Sequence, residues 1–139
     1  MDDMDHRLIA LLRQDARASI AALAARLNVS RGTVTNRLAR LERDGVIVGY
    51  TLRLRPEALP DEIRAWTSIA VEGNQHGVVR ALLGEPGVYA LHDTNGRWDL
   101  LAELRVGNLG ELSAVLERIR RIPGISASES SIHLQSYKA

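Results

Sequence analysis

Three stretches within the first 45 residues repeat apolar side chains at helical spacing, and this packing of helices restricts the fold more than any other feature. Leu8, Ile9, Leu11 and Leu12 make the first set, after Asp residues suited to a helix N-terminus. Ile20, Leu23, Ala24 and Leu27 make the second, opened by Ser19 as N-cap. Val34, Leu38 and Leu41 make the third, opened by Ser30 and stopped at Gly45, a residue suited to the left-handed backbone that ends a helix. Only "NVS" separates the second helix from the third, so the pair reads as a helix-turn-helix. The stretch that follows, "VIVGYTLRLRP", is β-branched and alternates near its end. It predicts a strand or short hairpin with Gly49 inside, the wing of a winged helix-turn-helix over residues 1–55.

"PEALPDEI", residues 56–63, has two prolines, three acids and no periodicity, and reads as the linker. From 64 to 139 the pattern changes. "RAWTSIAVEG" predicts a strand, and "QHGVVRALLGEPG" a short helix closed by Gly84 and Pro86. Two strands flank "TNGR", whose Asn-Gly pair is a hairpin signal. A helix with Leu112, Val115, Leu116, Ile119 and Ile122 on its buried side leads to a final strand, "ISASESSIHLQSY". The order βαββαβ is that of a ferredoxin-like sandwich. The fold class is therefore α+β, a winged helix-turn-helix followed by a ferredoxin-like domain. Ile69 and Val71 alternate with Trp66 and Ala70, so both faces of the first strand carry apolar groups. Two helices cover one face of a four-stranded sheet, which predicts a homodimer through the other face.

Composition excludes several classes of function. There is no cysteine, hence no disulfide, thiolate metal site or cysteine nucleophile. The start "MDDMDHRL" is acidic and no run approaches a membrane span, which predicts a cytoplasmic protein with no membrane partner. His6, His76, His92 and His133 are scattered without HxxxH or HxH spacing, so no metal is expected. No Gly-x-Ser-x-Gly, P-loop or paired-carboxylate motif argues for catalysis, and no cofactor is implied. The net charge of +1 conceals an asymmetry: residues 1–59 carry ten Arg against seven acids, and residues 60–139 eight basic groups against ten acids. The first part is the one suited to an anionic partner.

The third helix carries that chemistry. With Val34, Leu38 and Leu41 facing inward, Gly32, Asn36 and Arg43 lie almost opposite, and Thr33 and Arg40 beside them. The exposed side is small and polar early and basic later. Arg31, Thr33, Thr35 and Asn36 are placed for base edges in a major groove: Arg reads guanine, Asn reads adenine, and Thr can touch a thymine methyl. Gly32 permits close backbone approach. Arg40 and Arg43 are placed for phosphates, and the Ser30 amide can meet a phosphate beside its capping role. Arg37, at the edge of the apolar face, has two readings, a DNA contact or a structural ion pair. The bland reading of the whole face is solvated charge, since Glu42 and Asp44 offset part of it.

The sequence resembles the Lrp/AsnC (leucine-responsive, feast/famine) family of transcription regulators over essentially its whole length. "LNVS", "RLARLE" and "DGVIVGYT" in the first part, and "HDTNGRWDLLAEL" and "RIPGISASESSIHL" in the second, carry the resemblance. Leu100 stands where the family often has an aromatic residue, and Ser128 where it commonly has Thr. The resemblance implies a sequence-specific regulator that binds double-stranded DNA, dimerises through its ferredoxin-like domains and assembles further, for example into octamers. It implies a small-molecule effector, an amino acid or related metabolite, near the Gly-x-x-Asp turn. That places Gly96 and Asp99 at the effector site, with Ser128 and Ser130 as neighbours. Asp99 would hold an ammonium by charge-assisted bonds; its plain alternative is pairing with Arg97 or Arg105. Gly96 is expected to supply a positive φ, and Trp98 to be interface, core or pocket wall. The competing function is a sirohaem-decarboxylase-like enzyme on the same two-module plan. A third reading is an interaction module that binds no DNA.

Overall fold

The computed structural model describes residues 1–55, 58 and 62–138. It divides into two compact units, Met1–Arg53 and Leu54–Ala139.

The first unit consists of α1 (Asp3–Gln14), α2 (Ile20–Leu27) and α3 (Arg31–Arg43). Each begins at a polar cap: Asp2, Ser19 and Ser30 accept from backbone amides of the first turn. Asp2 and Asp5 form a reciprocal capping box, at 2.9 and 3.2 Å. Asn28 leaves α2 in the left-handed conformation (φ 56°), which turns the chain sharply towards α3. At the end of α3, Gly45 has φ 71° as expected. Its amide donates to Glu42 and that of Val46 to Leu41, which satisfies carbonyls the helix leaves open. Leu8, Leu12, Leu23, Ala24, Leu27, Val34 and Leu41 form the core, with Leu38 half-buried beside them.

The wing strand is corrected: residues 48–55 have no regular secondary structure. Val48 and Leu52 are 94% and 79% exposed. An isolated hairpin is marginal in water, and these alternating side chains remain largely exposed to solvent. Of the expected linker, residues 56, 57 and 59–61 lie outside the described residues, and Ile63 already belongs to a strand.

The second unit holds β1 (Ile63–Val71), α4 (Gln75–Leu83), β2 (Val88–Asp93), β3 (Leu100–Val106), α5 (Leu109–Arg120) and β4 (Ile125–Ile132). The sheet order is β2-β3-β1-β4 with all neighbours antiparallel, as a ferredoxin-like βαββαβ unit requires. Ala65, Thr67 and Ile69 of β1 and Leu100, Ala102 and Leu104 of β3 are buried, and the hydrophobic ones form one core with Val78, Leu82, Leu112, Val115 and Ile119 of the helices. The intervening residues point to the opposite face, because strand side chains alternate. That face carries Trp66, 43% exposed, with its ring 5.9 Å from that of His133. The Arg105 guanidinium lies 3.5 Å above the ring of Tyr89, which is 61% exposed. No helix of the described residues is long and apolar enough to cross a membrane.

Candidate nucleic-acid interface and effector loop

The exposed side of α3 emerges from its N-cap. The Ser30 hydroxyl accepts from the Thr33 amide at 3.1 Å and bonds the Thr33 hydroxyl at 2.8 Å. Thr33 is half-buried, with its hydroxyl and its amide both tied to the cap. Arg31, Gly32, Thr35 and Asn36 are exposed, and no side-chain hydrogen bond among the described residues engages Arg31, Thr35 or Asn36. Beside Gly32, an added Cβ would meet nothing nearer than the Ser30 hydroxyl at 3.9 Å, so the backbone here stands clear.

The four arginine positions of this helix divide into distinct environments. Arg37 donates to both oxygens of Asp2 (2.6 and 2.8 Å) and to Asp5 (3.0 Å). Of its two readings, the structure contains the ion pair, so its guanidinium is engaged inside the unit. Arg40 reaches the Asp5 carboxylate at 3.3 and 3.4 Å while remaining 48% exposed. Arg43 is 71% exposed and, among the described residues, meets only Asp44, at 3.7 Å, beyond hydrogen-bonding distance. Arg31 stands exposed at the helix start.

Asp2 and Asp5 are the functional neighbours that reading the sequence missed; there they serve only as helix-start residues. The available signal was the matched i, i+3 spacing of Asp2/Asp5 and Arg37/Arg40. Hydrogen bonds from the Arg37 side chain and the Asp5 amide lower the Asp2 carboxyl from its ordinary 3.8 to about 2. For Asp5 burial is the largest influence and raises its pKa, but the Asp2 amide and Arg37 outweigh it and the net shift is downward. Both groups are held as carboxylates.

In the second unit, residues 94–99 join β2 to β3 as a six-residue loop. Gly96 is corrected: its φ is not positive, and nothing lies within 4 Å of an added Cβ. The Asn-Gly pair does not make a two-residue turn here, because the loop is closed lower down. The Thr94 amide donates to the Asp99 carbonyl at 3.0 Å, and the Thr94 hydroxyl to the Trp98 carbonyl. Trp98 is half-buried outside the hydrophobic core, with the Arg97 guanidinium 5.6 Å from its ring centre.

Asp99 pairs with neither Arg97 nor Arg105. Its Oδ2 accepts from the Val71 amide at 2.7 Å, where the β1–β4 register shifts, and its own amide donates to Ile69 at 3.0 Å. The plain alternative is thus replaced by a backbone anchor. Arg105 instead meets Glu103 at 3.3 Å. Ser128 lies opposite Ile69 in β4, and the Ser130 hydroxyl bonds that of Thr67 at 2.9 Å. Of the four expected effector residues, three meet through β1: Asp99 and Ser130 bond that strand and Ser128 pairs with it, while Gly96 stands apart. A cavity of about 520 Å³, not anticipated from sequence, opens between α4 and β2. Val79, Leu83, Leu91 and Leu100 line it, with His76 and Asp93.

Comparison with known proteins agrees with both units. The family pattern described as winged helix-turn-helix DNA-binding matches residues 1–48, and that of the Lrp/AsnC ligand binding domain matches residues 65–139. The HTH-type transcriptional regulator LrpA1 of Halobacterium salinarum is 35% identical over 132 residues, covering 94% of this chain and 93% of its own. A feast or famine regulatory protein from M. tuberculosis, solved in complex with L-methionine, is 28% identical. It superposes with a TM-score of 0.86 over 99% of this chain and 95% of its own. E. coli AsnC, 22% identical, shares the fold with a TM-score of 0.85 over 100% of this chain and 95% of its own. The enzyme alternative has no support among these likenesses.

Proposed function

The chain belongs to the Lrp/AsnC family of DNA-binding transcription regulators, and from that premise we propose how its residues divide the work. The observation that carries the DNA assignment is the exposed, unengaged side of α3. Arg31, Thr35 and Asn36 read base edges, with the Thr33 methyl beside them and Gly32 allowing the backbone to come close. Arg43 and Arg40 meet phosphates, and the Ser30 amide supplements them at the helix N-terminus. The regulator acts as a homodimer in the cytoplasm. Its two recognition helices then read half-sites about 34 Å apart, one turn of duplex, or a multiple of that.

Dimerisation uses the sheet face opposite α4 and α5. Trp66, Tyr89 and Leu101 supply apolar and aromatic surface there, and the Arg105–Glu103 pair is already internally compensated. Higher assembly, such as an octamer, builds on that dimer. The effector is an amino acid, a reading supported by the L-methionine complex of the mycobacterial relative. Asp99 is anchored through Oδ2 on Val71 and offers its other oxygen to the ligand ammonium. Gly96, Ser128 and Ser130 complete the neighbourhood. The chain is read as a regulator and not an enzyme because its named relatives are regulators and its recognition helix is intact.

Selecting bound genomic fragments, with and without a panel of amino acids, tests this reading. Recovery of one recurrent, two-fold symmetric sequence, enriched or depleted by a particular amino acid, is the expected result. Recovery of fragments with no common sequence under any condition would contradict it.

A further inference from the structure

Asp5 is the one charged side chain fully buried among the described residues, at 2% exposure. A carboxylate in that position requires compensation by hydrogen bonds and opposite charge. The Asp2 amide (3.2 Å) and Arg37 (3.0 Å) provide it, and Arg37 is held firmly because it also grips both oxygens of Asp2. Arg40 is held differently. Its contacts of 3.3 and 3.4 Å exceed the roughly 2.7–2.9 Å of a strong charge-assisted bond, and about half of its side chain faces solvent. One guanidinium on the DNA-facing helix is thus loosely restrained by a carboxylate that cannot reach DNA itself.

We propose that Asp5 restrains Arg40 in the free protein and releases it only to a phosphate held in register by base contacts, which makes Asp5 a specificity-determining residue that never touches DNA. The proposal rests on α3 being the DNA-reading helix. In a loose complex on random sequence, no phosphate is fixed beside Arg40, so the carboxylate keeps it. In the specific complex the base contacts fix the helix in the groove, and a stationary phosphate replaces Asp5 as partner. Non-specific binding derives nearly all its strength from phosphate neutralisation, so withholding one arginine weakens it selectively. Arg37 plays no part in the exchange because its three short contacts persist.

Asp5→Asn removes the charge while its amide oxygen can still accept from the Asp2 amide. The test measures the salt dependence of binding to random-sequence duplex by the full chain as wild type, Asp5→Asn, Arg40→Gln and the double variant. Asp5→Asn is expected to steepen the log–log slope by about 0.9, one additional phosphate, or about 3.5-fold more loss of affinity between about 50 and 200 mM salt. Arg40→Gln alone is expected to leave that slope unchanged, and Asp5→Asn is then expected to have no effect in its background. The ratio of operator to random-sequence affinity, with the operator recovered by fragment selection, should fall for Asp5→Asn. An unchanged slope in folded Asp5→Asn, or equal steepening with and without Arg40, would overturn the proposal. If Asp5→Asn does not fold, Arg40→Gln decides: a random-duplex slope shallower by about 0.9 contradicts the proposal, and an unchanged slope with weakened operator binding supports it. A wild-type chain that binds no duplex at any salt overturns this inference together with the DNA reading beneath it. Salt-dependent wild-type binding, with no Arg40-dependent steepening in Asp5→Asn, overturns this inference alone.

Discussion

Two exposed surfaces of this protein, the outer side of α3 and the uncovered face of the sheet, leave different things unsatisfied. On α3 the exposed Arg31, Thr35 and Asn36 have no side-chain hydrogen-bond partner among the described residues, and Arg43 is only loosely near Asp44. On the sheet Arg105 already has partners in Glu103 and the Tyr89 ring, and aromatic area on Trp66 and Tyr89 remains bare. A surface of unpaired donors calls for a polar, anionic partner that supplies acceptors. A surface of bare rings beside compensated charge calls for another protein surface. In the proposal above, the first surface is the one given to DNA and the second the one given to the dimer.

The largest expected effects test the two sides of the sheet against each other. Ile69→Ala opens a cavity in the core and should lower stability by about 2–5 kcal/mol, read by chemical denaturation. Trp66→Ala should leave that core intact but weaken self-association by about 2 kcal/mol, roughly 30-fold, read by sedimentation equilibrium. If Trp66→Ala leaves association unchanged, the bare rings are not the interface. Next in size is Asp99→Asn. Its oxygen can keep the Val71 amide, so folding and basal operator binding should persist, while effector affinity falls by about 1.5–3 kcal/mol in isothermal titration. Equal affinity of both proteins for one amino acid would make Asp99 structural only.

Smaller again is Arg43→Ala, which should weaken operator and random duplex alike and flatten the salt slope by about 0.9. A loss confined to the operator would move Arg43 to base readout. The smallest effect concerns acid. The folded pKa values of Asp2 and Asp5 lie below their ordinary 3.8, that of Asp2 at about 2, so their contribution is complete above 3.8 and is lost as pH falls through the folded values. Amide exchange of α1 should therefore accelerate, relative to Arg37→Ala, over that window. Protection of α1 that varies identically with pH in both proteins would contradict the linkage.

The fold was largely legible because its elements obey local rules. Caps at Ser19 and Ser30, the stop at Gly45 and the 3.6-residue spacing of Leu8, Leu23 and Val34 each indicate the same three helices. The βαββαβ order followed from alternation and length in the same way. The wing strand was misread because β-branched residues describe a strand only where a neighbour exists to pair with it. Gly96 was misread because an Asn-Gly pair signals a two-residue turn only if the flanking strands reach it, and here Thr94 and Asp99 close the loop first. An ion pair was one of the two readings of Arg37, but its partners, like that of Asp99, were not legible. Each depends on a partner 28 or more residues distant, Asp2 and Asp5 for one and Val71 for the other, and periodicity carries no information about such meetings.

The central claim is that the free donors on α3 read bases. Measuring operator and random-duplex affinity side by side for wild type and Asn36→Ala tests it most directly. The account predicts a loss of about 1–3 kcal/mol on the operator, relaxed preference at one base position, and little change on random sequence. An equal loss on both duplexes would contradict it.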